Sequence, residues 1–419
     1  MFSFKKKHQS VAEIHLTAQD GGVITESGEI VHRSNEDIVG NAVFKLRQGE
    51  RFTHSKVLLR GIVTTTTETS PSGSLQPRWR TEKLPLLAVA VQSKAQPDFR
   101  AENGIINIPF RFNLDECKRS SDVQDLPPSV DWKQDTKWWS SLKQSDGAAQ
   151  YSIDYSITAS ACCESKLIAS TTRKLSVLPV AEEQPPPYDP NSLSRPGEYF
   201  TVSSPRPSKA RRRTAGHQFQ VAAQEPSPLR LDVSGHTLQT SVAIPLVIKL
   251  TPQDNGDLDE KSIPAQCSLK AQLVTRTFIT PNHSRTIPTM ERIAADEDAR
   301  VRTMRNNEQS FTFSLSGWQQ YGEGTAQRTS TQRAFLTNTG TSEHFAITRL
   351  PFLFNIDSPT RLSPTFFTPL LSRQHAIELK FTFLQSSRTL ELSLPLQAVH
   401  EAGPVDVSMR KQFLQTETK

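Results

Sequence analysis

Cysteine, long apolar runs and helical periodicity are all scarce in this chain of 419 residues. The four cysteines are Cys117, Cys162, Cys163 and Cys267, and their spacing fits neither a metal site nor a redox motif. Cys162 and Cys163 are neighbours in sequence, so on a strand their side chains would face opposite sides of the sheet. The cysteines therefore predict reduced thiols in a cytosolic protein.

Segments that would enter or cross a membrane are missing from the sequence. No apolar stretch is long enough to span a bilayer. Residues 1–8 contain three consecutive lysines, but no apolar run follows them, so we do not expect a secretory signal. Hydrophobic residues make up 35% of the chain, which is enough for real cores. The net charge of +6 is modest for this length and favours neither nucleic acid nor membrane as a partner.

Signatures of catalysis and of metal binding are also missing. The ten histidines form no His-x-x-x-His pair, and there is no Gly-x-Ser-x-Gly elbow or phosphate-binding glycine loop. The acidic run at 254–260 departs from a calcium loop, because Lys261 occupies a position that would need an oxygen ligand. Distant residues can still assemble a catalytic site, so an enzyme built on β-sandwiches stays open. Our expectation is a binding protein with no cofactor, no metal and no enzymatic activity.

What the chain has in abundance is the period-two alternation of β-strands. Clear series of alternating apolar residues run through 106–114 and 151–157 in the first half, and through 242–250, 311–315, 377–383 and 390–396 in the second. Each such strand has one apolar face, and two sheets packed face to face bury such faces. The weak helical pattern at 291–304 has few apolar positions. The sequence thus predicts an all-β protein of two tandem immunoglobulin-like β-sandwich lobes.

A Pro- and Ser-rich segment separates the two strand-rich regions. We predict an N-terminal lobe at 10–180, a disordered linker at 181–228, a C-terminal lobe at 229–400 and a flexible tail at 401–419. Two further loops are expected at 118–147 and 282–309. The first contains Trp132, Trp138 and Trp139, which can equally contact lipid or cargo or fold back onto the lobe.

Several motifs, taken in order along both halves, resemble the arrestin family, and specifically the fungal-type α-arrestins (arrestin-related trafficking adaptors). In the first half, Ile108-Pro-Phe-Arg-Phe-Asn-Leu114 followed by Leu126-Pro-Pro-Ser129 resembles the family's strand and turn, and Tyr151-Ser-Ile-Asp-Tyr155 its next strand. In the second half, the matching segments are Ile244–Leu250, Leu362–Phe366, Ile377–Phe383 and Leu392–Leu396. The resemblance covers most of residues 10–400, and it implies the two-lobed arrestin fold.

The predicted linker contains Pro185-Pro186-Pro187-Tyr188, a match to the Pro-Pro-x-Tyr ligand of WW domains. The prolines hold the backbone near polyproline II, so little entropy is lost on binding. Pro185 and Pro186 would pack on the aromatic groove, and Tyr188 would fill the adjoining pocket. In an arbitrary protein, such a run is more often a plain spacer. The resemblance favours docking, because it implies recruitment of a HECT-type ubiquitin ligase through its WW domains.

A basic cluster and three phosphorylation candidates lie in the same segment. Arg211, Arg212 and Arg213 can contact anionic lipid or direct a basophilic kinase to Thr214. Ser204 and Ser227, each followed by proline, are further candidate phosphorylation sites. Phosphate here would add negative charge near the docking motif and could regulate it. The alternative for each site is a solvated linker with scattered charge.

The resemblance implies an adaptor that links a WW-domain ligase to cytosolic regions of plasma-membrane transporters or receptors, promoting their ubiquitination and endocytosis. We expect a cytoplasmic protein recruited to the plasma membrane or endosomes, with peripheral membrane association and no nucleic-acid partner. The alternative within binding proteins is a retromer-type cargo-sorting coat subunit that has no ligase partner.

Overall fold

The described part of the chain folds almost entirely into β-strands, which confirms the predicted all-β class. The computed structural model describes residues 10–17, 23–24, 30–33, 36–47, 50–69, 78–94, 104–114, 116, 126–131, 149–178, 198–202, 217–232, 235–238, 241–252, 265–284, 287–315, 319–320, 344–353, 362–383 and 388–400. A short helix, α1, covers Met290–Ala294.

In the described residues, the N-terminal half has ten strands in two sheets. These are β1 (Val11–Leu16), β2 (Val23–Ile24), β3 (Ile30–Arg33), β4 (Asp37–Lys45), β5 (His54–Thr69), β6 (Arg78–Lys94), β7 (Ile105–Asn113), β8 (Val130–Asp131), β9 (Ala149–Cys163) and β10 (Lys166–Leu178). One sheet has the order β1-β4-β7. The other has the order β2-β3-β10-β9-β5-β6, with β8 also pairing with β9.

A hydrophobic core lies between these two sheets. Val57 and Leu59 of β5 and Ile157 of β9 join Ile38 and Phe44 of β4 in one buried cluster. Alternate residues of β5 and β9 point away from this cluster, so the period-two pattern of the sequence is the pattern of burial. Each large side chain buried in this way contributes about 1.5–3 kcal/mol.

The Leu-Pro-Pro-Ser segment is held against the larger sheet by specific hydrogen bonds. The buried Tyr155 hydroxyl donates to the Pro127 carbonyl at 2.8 Å, and burial raises the pKa of this tyrosine well above its ordinary value. Ser129 accepts from the Val177 amide at 2.8 Å and returns its own amide to the Val177 carbonyl at 2.9 Å. The Tyr155 ring packs on Gly61, where an added Cβ would lie 2.7 Å from a ring carbon. A glycine is needed there because no side chain fits under the ring.

Twelve strands are described in the C-terminal half. These are β11 (Glu198–Val202), β12 (His217–Gln224), β13 (Leu229–Leu231), β14 (Ser241–Pro252), β15 (Gln266–Ile279), β16 (Arg300–Ser314), β17 (Gln319–Gln320), β18 (His344–Leu353), β19 (Phe366–Phe367), β20 (Leu371–Phe383), β21 (Arg388–Leu396) and β22 (Ala398–His400). One sheet has the order β11-β12-β14-β18-β17, and another has β16-β15-β20-β19 with β21 on β20. A parallel pair, β13-β22, completes the half.

The C-terminal half has its own core, formed by both of its larger sheets. Ile244 and Ile248 of β14 are buried together with Leu269 of β15 and Phe381 and Phe383 of β20. Within the described residues, every strand pairing joins strands of the same half.

The C-terminal half also completes the core of the N-terminal half. Ile279 at the end of β15, Phe366 of β19, and Leu370 and Leu371 before and at the start of β20 belong to the N-terminal cluster. All four are buried, and Ile279, Leu370 and Leu371 are fully excluded from solvent. The two halves therefore share apolar burial, although they share no sheet.

The predicted linker at 181–228 is not free of regular structure. Two strands lie inside it: β12 pairs with β14, and β11 pairs with β12. Phe219, Val221 and Ala223 of β12 alternate into the C-terminal core. The interpretation of this segment as structureless is therefore wrong for 198–202 and 217–224, because a short series that includes a small alanine is enough for a strand beside a preformed sheet. The C-terminal half begins before residue 229.

The loop predicted at 282–309 is only partly a loop. Helix α1 forms within it, and from Arg300 onward the chain is strand β16, paired with β15. Polar side chains on this edge strand concealed the alternation. Most of the tryptophan-containing loop and the tail at 401–419 lie outside the described residues.

The shared core predicts that a residue of the C-terminal half stabilises the N-terminal one. Replacing Leu371 with alanine leaves a cavity in the N-terminal core, and we expect a loss of about 2–5 kcal/mol in the free energy of unfolding. Chemical denaturation measures this loss. The matched control is Leu353→Ala, because the Leu353 side chain is 53% exposed; its expected effect is about 0.5 kcal/mol or less. Equal losses in the two variants would contradict the shared core.

Candidate functional site

The structure describes one of the nine site residues predicted from the sequence. Pro185, Pro186, Tyr188, Ser204, Arg211, Arg212, Arg213 and Thr214 lie outside the described residues. Ser227 is exposed and lies two residues before β13, between the buried Pro226 and the half-buried Pro228. The residue is thus accessible to solvent in the described part of the chain, and its role as a phosphorylation site stays a prediction.

The described residues contain no group of three His, Cys, Asp or Glu side chains that could hold a metal ion. Among them there is likewise no helix long and apolar enough to cross a membrane. Cys267 is buried, and burial raises the pKa of its thiol to about 12.

The most unusual feature of the described structure is a polar zone where the two halves meet. The inward faces of β15 and β20 are apolar near the C-terminal core and apolar again at Ile279 and Leu371. Between these regions lie two cross-strand pairs in register, Thr275 with His375 and Thr277 with Arg373. All four side chains are buried. We call these two pairs the polar layers, because they separate the two hydrophobic cores.

Arg373 is the centre of the polar layers and bonds to both halves. Its Nε donates to Thr277 Oγ1 at 3.1 Å, and its Nη1 donates to the hydroxyl of Ser363. Its Nη2 donates to the hydroxyl of Tyr151, on β9 of the N-terminal half, at 3.3 Å. The guanidinium also lies over the ring of Phe366, 5.9 Å from its centroid. A buried arginine is tolerated only when its donors are used, so these partners fix its position.

Burial keeps His375 in its neutral form, and two neighbours fix the orientation of its ring. Its Nε2 lies 2.9 Å from the Ser363 carbonyl, which can only accept, and its Nδ1 lies 2.9 Å from the Thr275 hydroxyl. Burial lowers the pKa of His375 to about 4; the Ser363 carbonyl opposes this shift and the charge of Arg373 adds to it. Ser363 thus bonds both inward-facing basic residues of β20, one through its hydroxyl and one through its carbonyl.

Further arginines cross the junction around the polar layers. Arg300 Nη2 donates to the Glu68 carbonyl at the end of β5, at 2.8 Å, and Arg302 Nη2 donates to the Ala149 carbonyl at the start of β9. Arg302 also lies over the Tyr151 ring, 5.7 Å from its centroid. In the opposite direction, Arg80 of β6 pairs with Asp298 at 3.1 Å. The end of the N-terminal half is therefore held by fixed donors from the start of β16 and from β20.

A second buried cluster lies near β22, where Arg33 of the N-terminal half approaches His400. Burial lowers the pKa of His400 to about 4; Asp232 and its backbone oppose the shift, and the charge of Arg33, from the N-terminal half, adds to it. Arg33 also lies 3.9 Å from Glu36, whose pKa is raised by burial. The neighbouring His32 is buried as well, and burial followed by the charge of Arg173 lowers its pKa.

None of these junction residues was predicted from the sequence. A signal was present in β20, where the inward series Leu371, Arg373, His375, Ile377 breaks its apolar alternation twice and then resumes. Interruptions of this kind also occur at strand ends and bulges, so they become informative only once the register with β15 is known. The junction does not bring together any of the site residues predicted from the sequence. It fixes the orientation of the two halves.

No protein-family model matches the chain, and no curated protein is significantly similar to it.

The polar layers predict strong coupling between Arg373 and Tyr151. Arg373→Met leaves buried hydroxyls without their donor, so we expect a loss on the order of 3 kcal/mol in the free energy of unfolding. Tyr151→Phe removes one hydrogen bond and should lose about 1 kcal/mol. A double-mutant cycle by denaturation should give a coupling energy of about 0.5–1.5 kcal/mol. The control is a second cycle that pairs Arg373→Met with Thr158→Val, on the outward face of the same strand as Tyr151, and its losses should be additive. Additive losses for Arg373→Met and Tyr151→Phe would contradict the contact.

The buried histidines predict an acid-sensitive fold. The folded-state pKa values of His375 and His400, each about 4, lie below the ordinary 6.5. As pH falls from about 6.5 to about 4, the unfolded chain therefore binds protons that the folded chain does not. Stability should fall across this window by on the order of 3 kcal/mol per histidine and flatten below it. Denaturation at a series of pH values measures this decline.

His375→Gln should remove the part of this decline that His375 contributes, on the order of 3 kcal/mol. His283→Gln, at an exposed position, is the matched control and should keep the parent slope. If the free energy of unfolding of the His375→Gln variant falls with pH as steeply as that of the parent, His375 is protonated in the folded protein over the same pH range as in the unfolded chain.

Proposed function

We propose that the chain is an arrestin-like adaptor of two β-sandwich lobes, which recruits a WW-domain HECT ubiquitin ligase to plasma-membrane transporters or receptors. Recruitment would promote ubiquitination and endocytosis of that cargo. The protein would act from the cytoplasm and be brought to the plasma membrane or endosomes. The observation that carries the proposal is the Pro185-Pro186-Pro187-Tyr188 sequence in the stretch of chain between two all-β halves, each with a core of its own.

The organisation of the described residues supports an adaptor in a second way. Each half presents broad sheet faces, and the buried polar groups of the junction are used to hold the halves together. An adaptor acts by effective concentration: two weak contacts on one chain keep the ligase and its substrate together far longer than diffusion would. That mechanism needs a fixed body and a docking segment on the same chain. Cargo would be held by the sheet faces or the region between the lobes.

Phosphorylation could regulate the binding of the ligase to the docking motif. Ser204, Thr214 and Ser227 follow the docking motif in sequence, and phosphate on them would bring negative charge near Tyr188. Of these, Ser227 is the one that the structure describes, and it is exposed.

The docking motif is tested with the full-length protein and isolated WW domains of a HECT ligase. Tyr188→Ala removes the side chain that fills the aromatic pocket, and we expect at least about a tenfold loss of affinity. Fluorescence anisotropy or calorimetry measures this loss. Pro196→Ala, in the same Pro-rich stretch and outside the motif, should bind as the parent does. A Tyr188→Ala variant that binds as tightly as the parent would leave the retromer-type coat subunit as the better interpretation.

A further inference from the structure

The outer face of the larger N-terminal sheet carries a segregated patch of positive charge. Residues of β5, β6, β9 and β10 that point away from the core alternate with the buried ones, so their faces are assigned by burial. At the end of the sheet nearest the β9–β10 turn, four registered rows contain four cationic side chains. They are Lys56 and Arg60 of β5, Lys94 of β6 and Lys174 of β10.

The rest of this patch is flat and mostly made of short side chains. His54 and Leu58 of β5 complete the rows on that strand. The cross-strand neighbours on the same face belong to β6, β9 and β10, and no acidic residue occurs among them. They are Ala88, Ala90, Gln92, Ser156, Thr158, Ser160, Ser170 and Thr172. Rows on one face are about 6.7 Å apart and strands about 4.8 Å apart, so the patch measures about 20 Å by 15 Å.

Acidic residues lie only at the margins of the patch in the described chain. Asp154 is one row further along β9, and Lys174 lies 3.7 Å from its carboxylate with an 86% exposed side chain. Glu164 is in the β9–β10 turn. Beyond Asp154 the same sheet face becomes mixed in charge, with Glu68 of β5 and Lys83 of β6. The positive charge is thus concentrated at one end of the sheet.

An exposed apolar side chain stands at the rim of the patch. Leu167 follows the β9–β10 turn, is registered with Cys162 on the outer face, and is 56% exposed. It is the most exposed of the large hydrophobic side chains in the described chain. Monomeric proteins tolerate single exposed leucines, so its position beside the cations is what matters.

We propose that this face, which we call the basic patch, docks on a membrane surface rich in anionic lipids. Lysine and arginine near such a surface contribute about 1 kcal/mol each, and a leucine at the rim can enter the boundary between headgroups and acyl chains. The patch is flat, and its central strands β5 and β9 are paired on both sides, so the middle of the patch offers no groove and no free backbone groups to a peptide. Flatness and charge together fit a bilayer better than an acidic peptide.

The experiment is sedimentation of the full-length protein with vesicles of phosphatidylcholine, with and without phosphatidylserine. We expect binding only to the anionic vesicles, and weaker binding as salt is raised. Arg60→Glu should lower the partition coefficient about tenfold or more, because it replaces an attraction with a repulsion. The matched control, Lys83→Glu, makes the same charge change on the mixed part of the same face and should lower it about twofold or less. Leu167→Ser should lower it severalfold.

Two further arms distinguish the basic patch from the arginine cluster at 211–213, and a bilayer from an acidic peptide. The triple variant Arg211→Ser, Arg212→Ser, Arg213→Ser should still bind anionic vesicles, and adding Arg60→Glu to it should lower that binding. If the triple variant abolishes vesicle binding and Arg60→Glu in the parent does not lower it, the basic patch is not the lipid site. The second arm uses a soluble glutamate-rich peptide. If this peptide binds the parent but not the Arg60→Glu variant, and anionic vesicles do not bind the parent, the membrane proposal is wrong and the partner is an acidic peptide. Tyr188→Ala should leave vesicle binding unchanged, so failure of the basic patch and failure of the ligase docking motif give different results.

Discussion

The structure depends on two buried polar pairs that separate two hydrophobic cores along one pair of strands. Thr275 with His375 and Thr277 with Arg373 interrupt the inward faces of β15 and β20, which are apolar on either side. Burying an arginine costs several kcal/mol unless its donors find acceptors, and such a group gives directional bonds where apolar packing gives none. The relative orientation of the halves is therefore set by the geometry of hydrogen bonds to Arg373, and the apolar burial around it supplies the stability.

This arrangement makes the two halves interdependent without a shared sheet. Ile279 and Leu371 of the C-terminal half lie in the N-terminal core, so the strand ends that carry the polar layers also anchor the junction. Ser363 belongs to the segment before β19 and bonds both Arg373 and His375. A segment that resembles a family motif in sequence is thus a structural support of the junction in space.

The sequence was sufficient to predict the fold class and most of the long strands, because their burial follows a period of two. The series Ile377, Leu379, Phe381 and Phe383 is an example, since each of these residues is buried in β20. Strand β12 was missed because its inward series is short, includes Ala223 and lies beside proline-rich sequence. Arg373 was missed for a different reason. Its partner strand is about a hundred residues away, and only the register between β15 and β20 shows that two polar interruptions coincide.

The chain's own geometry ties the proposed docking motif to the proposed membrane surface. Strand β10 ends at Leu178, and Tyr188 follows ten residues later. Ten residues span at most about 35 Å when fully extended, so a ligase bound at Tyr188 stays within that distance of the end of β10. Lys174 of the basic patch is on the same strand, four residues before its end. Because the patch and this tether both belong to β10, a patch resting on a bilayer would confine the ligase to the layer of cytosol where the cytosolic regions of membrane proteins lie. Short tethers of this kind raise effective concentration most.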